Sequence, residues 1–141
     1  MAKKVIPGLN IQWPWSQMIM RGEKTVETRS YDFPKKYLNV EMALIETPGP
    51  KGRREGRIKK ARIIGVICFS GSFRYKSYKA WKADRKRHLV SNCDPQFAYS
   101  AVREKWGWVV KYCKTFKKSL PPPKKRGIVF ANSCQIRQQH L

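Results

Sequence analysis

The chain has 141 residues and a mass of 16.5 kDa, with 31 Lys and Arg against 9 Asp and Glu, a net charge of +22. That length fits one compact domain, and no run of 18 apolar residues is present to cross a membrane as a helix. Five Trp, six Tyr and six Phe argue against a disordered basic tail, so the sequence reads as a folded domain whose partner is a polyanion, with nucleic acid ahead of an anionic membrane.

Gly8 to Gln12 alternates apolar and polar residues, which predicts a short half-buried strand. Pro14 suits the first position of a helix, Trp15, Met18 and Ile19 make its apolar face, and Gly22 is its stop signal. Val26 to Arg29 continues in extended form, and a second strand is expected from Tyr37 to Thr47, with Val40, Met42 and Leu44 on one face. Pro48 to Lys60 holds so many glycines, prolines and cations that it reads as a solvated loop. The apolar run Ala61 to Ser70 predicts a buried strand, turned by Gly71-Ser72. Tyr75 to Leu89 reads as one cationic helix, and Asp94-Pro95 as the cap and start of another reaching Lys105. Trp106 to Phe116 alternates as a strand, Pro121-Pro122-Pro123 is a stiff spacer, and Gly127 to Ala131 closes the fold as a last short strand. The expected organisation is one domain over 1–141 with its core at about 7–131 and a frayed tail at 132–141. The fold class is α+β, a small barrel with flanking helices.

Cys68, Cys93, Cys113 and Cys134 are 20 or more residues apart, without a Cys-x-x-Cys pair, and only His88 and His140 could supplement them. Two of the four lie inside apolar runs, so reduced buried thiols are expected, in a cytoplasmic protein without metal or cofactor. Met1-Ala2-Lys3-Lys4 is basic but no apolar signal core follows it.

Gly22-Glu23-Lys24-Thr25-Val26-Glu27-Thr28-Arg29 has the pattern Gly-x-Lys-x-x-Glu-x-Arg. Gly22 lets the helix end sharply and leaves Lys24 close to its C-terminus. Arg29 offers a planar fork for a phosphate or carboxylate, and Glu27, ionised beside two cations, can hold both in place. The same residues would also serve as a plain structural ion pair. In strict alternation Lys24 and Val26 face one side, Glu27 and Arg29 the other.

Aromatics alternate with cations twice, in Phe73 to Lys82 and in Trp106 to Lys118, which is the chemistry of single-strand and loop RNA binding. The candidate phosphate and base contacts are Arg53, Arg54, Arg74, Tyr75, Lys79, Arg85, Arg87, Lys124, Lys125 and Arg126. Trp81 and Trp108 are better read as core. No Ser/His/Asp set, Walker loop or pair of acid–base carboxylates is present.

The Gly22 to Arg29 pattern resembles the motif of the ASCH domain, a branch of the PUA-like superfamily. Around it, the strand ending in Ile11-Gln12, the Pro14-Trp15 helix start, the Gly65 strand, Trp108-Val109-Val110 and the Pro121 to Gly127 segment follow that family's order, so the resemblance spans roughly Pro7 to Ala131. It implies a PUA-like barrel with a ligand cleft at the motif, formed by Lys24, Glu27 and Arg29. Trp13 and Trp15 flank Pro14 just before the motif helix, which offers their rings as stacking walls for that cleft, with at least one of the two expected to be plain core. The resemblance also implies RNA recognition, of one unstacked base. The alternative is a small hydrolase, either a 4-acetylcytidine amidohydrolase or a single-strand ribonuclease, with Lys24 and Glu27 as its catalytic pair. Glu27 stands where the amidohydrolases carry Thr. A structural ribonucleoprotein component is a third reading, which fits the charge but does not use the motif. Lys24 is expected at the cleft surface, so that its removal spares folding.

Overall fold

The computed structural model describes residues 3–56 and 58–137. In chain order they form β1 (Lys3–Gln12), α1 (Trp15–Met20), β2 (Val26–Arg29), a 3-10 turn (Lys35–Tyr37), β3 (Met42–Thr47), α2 (Gly49–Arg54), β4 (Arg62–Arg74), α3 (Tyr78–Ala83), α4 (Arg85–His88), β5 (Trp106–Leu120) and β6 (Phe130–Arg137). The class is the expected α+β. One six-stranded mixed sheet runs in the order β2-β5-β4-β3-β1-β6, with β1 and β3 parallel and every other pair antiparallel. The hydrogen-bonded ladder does not close into a barrel, since β2 and β6 are its two ends.

Both faces of the central strands are buried, which is why β3 and β4 read as nearly continuous apolar runs. Met42 and Leu44 join one cluster with Leu9, Ile11, Ile19, Phe69 and Trp108, whereas Ala43 and Ile45 join another with Val66, Phe116, Ala131 and Cys134. The first cluster is covered by α1 and by the chain around Phe33 and Tyr37. The second contains no helical residue, so the strands curl and cover one another. Gly8 permits this: a Cβ there would sit 2.6 Å from Cys134 Sγ and 2.9 Å from Ile45 Cδ1.

Six expectations are corrected. The strand expected from Tyr37 begins at Met42, because Pro34 leads into the 3-10 turn and Asn39 takes a left-handed φ of 58°. The basic segment after Pro48 is not all loop. Pro50 falls in the first turn of α2, where a missing N–H is harmless, and the glycines serve packing. A Cβ at Gly56 would lie 2.8 Å from the Trp13 ring, so the segment lies flat on that tryptophan.

Gly71-Ser72 does not turn the chain. The register shifts beside Phe69 absorb the irregularity, and β4 stays paired with β5 as far as Arg74 opposite Trp106. The single helix of residues 75–89 is two: Ser77 Oγ caps α3 by accepting from Ala80 N at 3.1 Å, and Asp84 separates α3 from α4. Asp94 Oδ1 does accept from Gln96 N and Phe97 N, at 2.8 and 2.7 Å, as a cap would, but no helix follows. Phe97, Ala98 and Tyr99 all pack on one cluster, and three consecutive inward residues do not fit a helical period. Residues 132–137 are not frayed but belong to β6, whereas 138–141 lie outside the described residues.

Candidate functional site

The motif lies between α1 and β2. Gly22, with φ at +76°, ends α1, and the backbone N–H groups of Glu23 and Lys24 both return to the Met18 carbonyl, at 3.0 and 3.1 Å. Lys24 is therefore in a turn, not in a strand, and alternation does not send it away from Glu27. Its Nζ lies 3.7 Å from Glu27 Oε1. Glu27 Oε2 in turn accepts from Arg29 Nη2 at 3.0 Å and from Arg29 Nε at 3.3 Å. The three residues thus form one contiguous group.

Lys24 is not a surface lysine. Its side chain is 1% exposed, with Nζ donating to the His88 carbonyl and lying 5.0 Å from the centre of the Trp15 ring. Burial lowers its pKa to about 8, against the pull of Glu27 upward and with the help of Arg29 and Lys105. The His88 carbonyl is at the end of α4, and the adjacent Arg87 carbonyl accepts from Thr25 N at 3.0 Å, so α4 is fastened to the motif at two points.

Asn10 joins this group to the far wall. Its carbonyl accepts from Arg29 Nη2 at 2.9 Å. Its Nδ2 donates to the carbonyls of Gly127 and Ile128 at 2.9 and 3.0 Å. Between these parts lies a cavity of about 590 Å³, within the usual range for a small-molecule or nucleotide pocket. Lys24, Glu27, Arg29 and Asn10 line it, and Trp15 and Phe97, edge to face at 5.9 Å, add apolar wall. Arg103, Lys105 and Arg126 add three cations. Lys105 Nζ donates to the Phe97 carbonyl at 2.9 Å, and burial lowers its pKa.

The other expected residues divide. Trp15 lines the cavity but Trp13 does not, because α2 packs on it. Tyr75 is not an RNA-stacking ring. It is 5% exposed, its hydroxyl donates to Asp84 Oδ2, and its ring meets Phe73 and His88. Arg87 is taken up by Asp84 at 2.6 and 2.8 Å, and Arg74 pairs with Glu104 at 3.2 Å. Arg53, Arg54, Lys79, Arg85, Lys124 and Lys125 are exposed and outside the cavity, whereas Arg126 lines it. Trp81 and Trp108 are fully buried, as expected.

Sequence reasoning missed Asn10, Arg103 and Lys105. For Asn10 a signal exists: the period of two in Leu9-Asn10-Ile11-Gln12 puts Asn10 and Gln12 on one polar side, and both line the cavity. Nothing in the sequence announces the His88 carbonyl. Cys68 and Cys134 are buried, Cys113 is half-buried and Cys93 is exposed, all as free thiols. No group of metal-binding side chains occurs among the described residues.

No protein-family model matches the sequence, and no curated protein matches it. Solved structures do match the fold. The ASCH protein from Zymomonas mobilis superposes with a TM-score of 0.62 at 12% identity, covering 95% of this chain and 89% of that one. A serine-to-alanine mutant of the Zymomonas mobilis protein gives 0.65 at 11% identity over 95% and 89%. A tyrosine-to-phenylalanine mutant gives 0.61 at 12% identity over 95% and 91%. At such identities the likeness speaks for the fold alone: this chain has an ASCH-type fold, as its motif implies.

Proposed function

We propose that this protein binds single-stranded RNA and receives one unstacked nucleobase in the cleft above Lys24, Glu27 and Arg29. The observation that carries the reading is the make-up of the cavity: a buried polar floor, an apolar wall of Trp15 and Phe97, and cations at Arg103, Lys105 and Arg126. Such a cavity suits a flat, polar-edged ring attached to a phosphate chain. Arg29 directs Nε and Nη2 to protein acceptors, and its Nη1 has no hydrogen-bond partner among the described residues, which leaves donors for a base carbonyl or a phosphate. The net charge of +22 favours the same class of partner.

Fluorescence anisotropy with labelled single-stranded homo-oligomers tests this reading. Affinity should fall steeply with salt and should differ between bases at any one salt concentration. No binding at low salt would refute the reading.

Hydrolysis of RNA or of a modified nucleoside is the second reading, and one observation favours it. A lysine with a pKa near 8 supplies a fraction of neutral amine at neutral pH, which a general base needs. In that chemistry Lys24 would accept a proton and Glu27 would hold the resulting ammonium. Incubation with 4-acetylcytidine and with end-labelled single-stranded RNA separates the two readings: a pure binder returns both unchanged.

A further inference from the structure

Among the described residues, the two large apolar side chains most open to water are Ile128, 97% exposed, and Val102, 90% exposed. The next, Val5, is 59% exposed. A lone exposed aliphatic has no special meaning. These two, however, stand on two loops of the same cleft. Ile128 lines it, and Val102 lies in the turn between the lining residues Ser100 and Arg103. Each has a cleft-lining arginine beside it in the chain: Arg103 follows Val102 directly, and Arg126 precedes Ile128 by one glycine.

The backbone holds both turns in place. Besides the two bonds from Asn10 Nδ2, the Ile128 turn is tied by Asn10 N to the Val129 carbonyl at 2.8 Å and by Gly127 N to the Phe130 carbonyl at 2.8 Å. The Val102 turn is closed on Ser100, whose Oγ accepts from Val102 N at 3.3 Å and whose carbonyl accepts from Arg103 N at 3.4 Å. An aliphatic side chain fixed in water, next to an arginine, suits a ligand that presents an apolar face and an anion one after the other along its length. A nucleotide chain does so at every residue, with a base and ribose face followed by a phosphate.

We infer that the two turns form a clamp for the nucleotides on either side of the base in the cleft. Val102 and Ile128 lie against their ribose or base faces, and Arg103 and Arg126 take their phosphates. This inference rests on the RNA reading and adds to it a binding subsite for flanking nucleotides, set apart from the motif.

The test compares a short single-stranded oligonucleotide with a single nucleoside monophosphate of its central base. Two variants are used, Val102→Ser with Ile128→Ser, and Arg103→Gln with Arg126→Gln. The serine pair keeps every charge, and both side chains it replaces stand in water, so an unchanged thermal melt is expected. Oligonucleotide affinity should fall about ten-fold with the salt slope unchanged, because burial of apolar area against the ribose and base faces is lost and phosphate contact is not. Monophosphate affinity should fall by less than oligonucleotide affinity, because a single nucleotide leaves the flanking positions empty. The glutamine pair should lower the slope of log K against log salt by about 1.4, or about 0.7 for each single-strand phosphate released. A serine pair that binds the oligonucleotide like the wild type overturns the clamp and leaves the RNA reading intact. A wild type that binds no RNA at low salt overturns both.

Discussion

Two sets of cations in this molecule differ in what surrounds them. Lys24 and Arg29 stand at the cleft floor, 1% and 19% exposed, and share Glu27 between them. Arg53, Arg54, Lys79, Arg85, Lys124 and Lys125 stand in water, without an acidic partner among the described residues. A charge in water attracts any polyanion and is screened by salt, so on the proposed RNA reading the outer set gives strength without choice. A charge held under protein, with its hydrogen bonds fixed, responds to the shape and polarity of whatever enters beside it. On the proposed RNA reading, choice therefore belongs to the inner set.

Glu27 carries the largest expected effect. Glu27→Gln leaves Lys24 buried without its counter-charge, and removing one member of a buried ion pair costs about 3–5 kcal/mol. Urea unfolding should show that loss. A change below about 1 kcal/mol would mean that the inner set is solvated like the outer one.

Lys24 gives the next largest effect, as a dependence on pH. Its pKa is lowered from 10.5 in the unfolded chain to about 8 in the folded one. Between those values the unfolded chain holds a proton that the folded chain has lost, so stability rises with pH across that window. The gain should approach ~3 kcal/mol at its upper end, and it disappears as pH falls through 8. Lys24→Met keeps the volume and leaves Glu27 paired with Arg29. The difference between wild type and variant isolates the effect, because other groups that titrate there do so in both. Parallel stability curves from pH 7 to pH 10.5 would contradict the buried-lysine account.

His88 gives a smaller pH effect, from the side of α4. Its ring is fully buried and stacked on Trp81, with Nδ1 accepting from Val90 N at 2.9 Å and Nε2 2.7 Å from the Trp81 carbonyl. Burial lowers its pKa, the Trp81 carbonyl and Asp84 oppose that, and Lys24 and Lys105 reinforce it. The unfolded histidine titrates near 6.5, so stability falls as pH drops below that value, when the unfolded chain takes up the proton first. Amide hydrogen exchange in α3 and α4 should speed up from pH 7.5 to pH 5, after correction for intrinsic rates, more than exchange in β1 and β3. Equal changes in both regions would remove His88 as the cause.

The smallest effect belongs to the outer set. Lys124→Ala with Lys125→Ala should leave stability within about 0.5 kcal/mol. It should reduce RNA affinity equally for all sequences, with a shallower salt slope. A change in base preference would place these lysines in the wrong set.

Much of this was legible in the sequence, and the exceptions share a cause. The strands were visible because β3, β4 and β5 carry their own apolar patterns. The motif was visible because Gly22, Lys24, Glu27 and Arg29 lie within eight residues. What stayed hidden depends on contacts between distant segments. Lys24 was expected at the surface, since no local rule says that Trp15 and the end of α4 will cover it. Tyr75 read as a stacking ring beside cations until Asp84 and His88 claimed it. Trp13 and Trp15 looked equivalent on either side of Pro14, yet Gly52 and Gly56 of the basic segment open a seat for Trp13 alone. The length of β5 and β6 was also underestimated, because pairing with β4 and β1 carries both strands past the end of their own apolar alternation.

On the RNA proposal the cleft chooses and the outer cations only hold. Binding isotherms for the four single-stranded homo-oligomers across a salt series, for wild type and Lys24→Met, separate the two roles. For the wild type, parallel lines of log K against log salt are expected, set apart from one another by base. In the variant those lines should draw together, with a slope changed by less than about one. Lines that stay as far apart in Lys24→Met as in the wild type, or that never separate in the wild type, would contradict that division of roles.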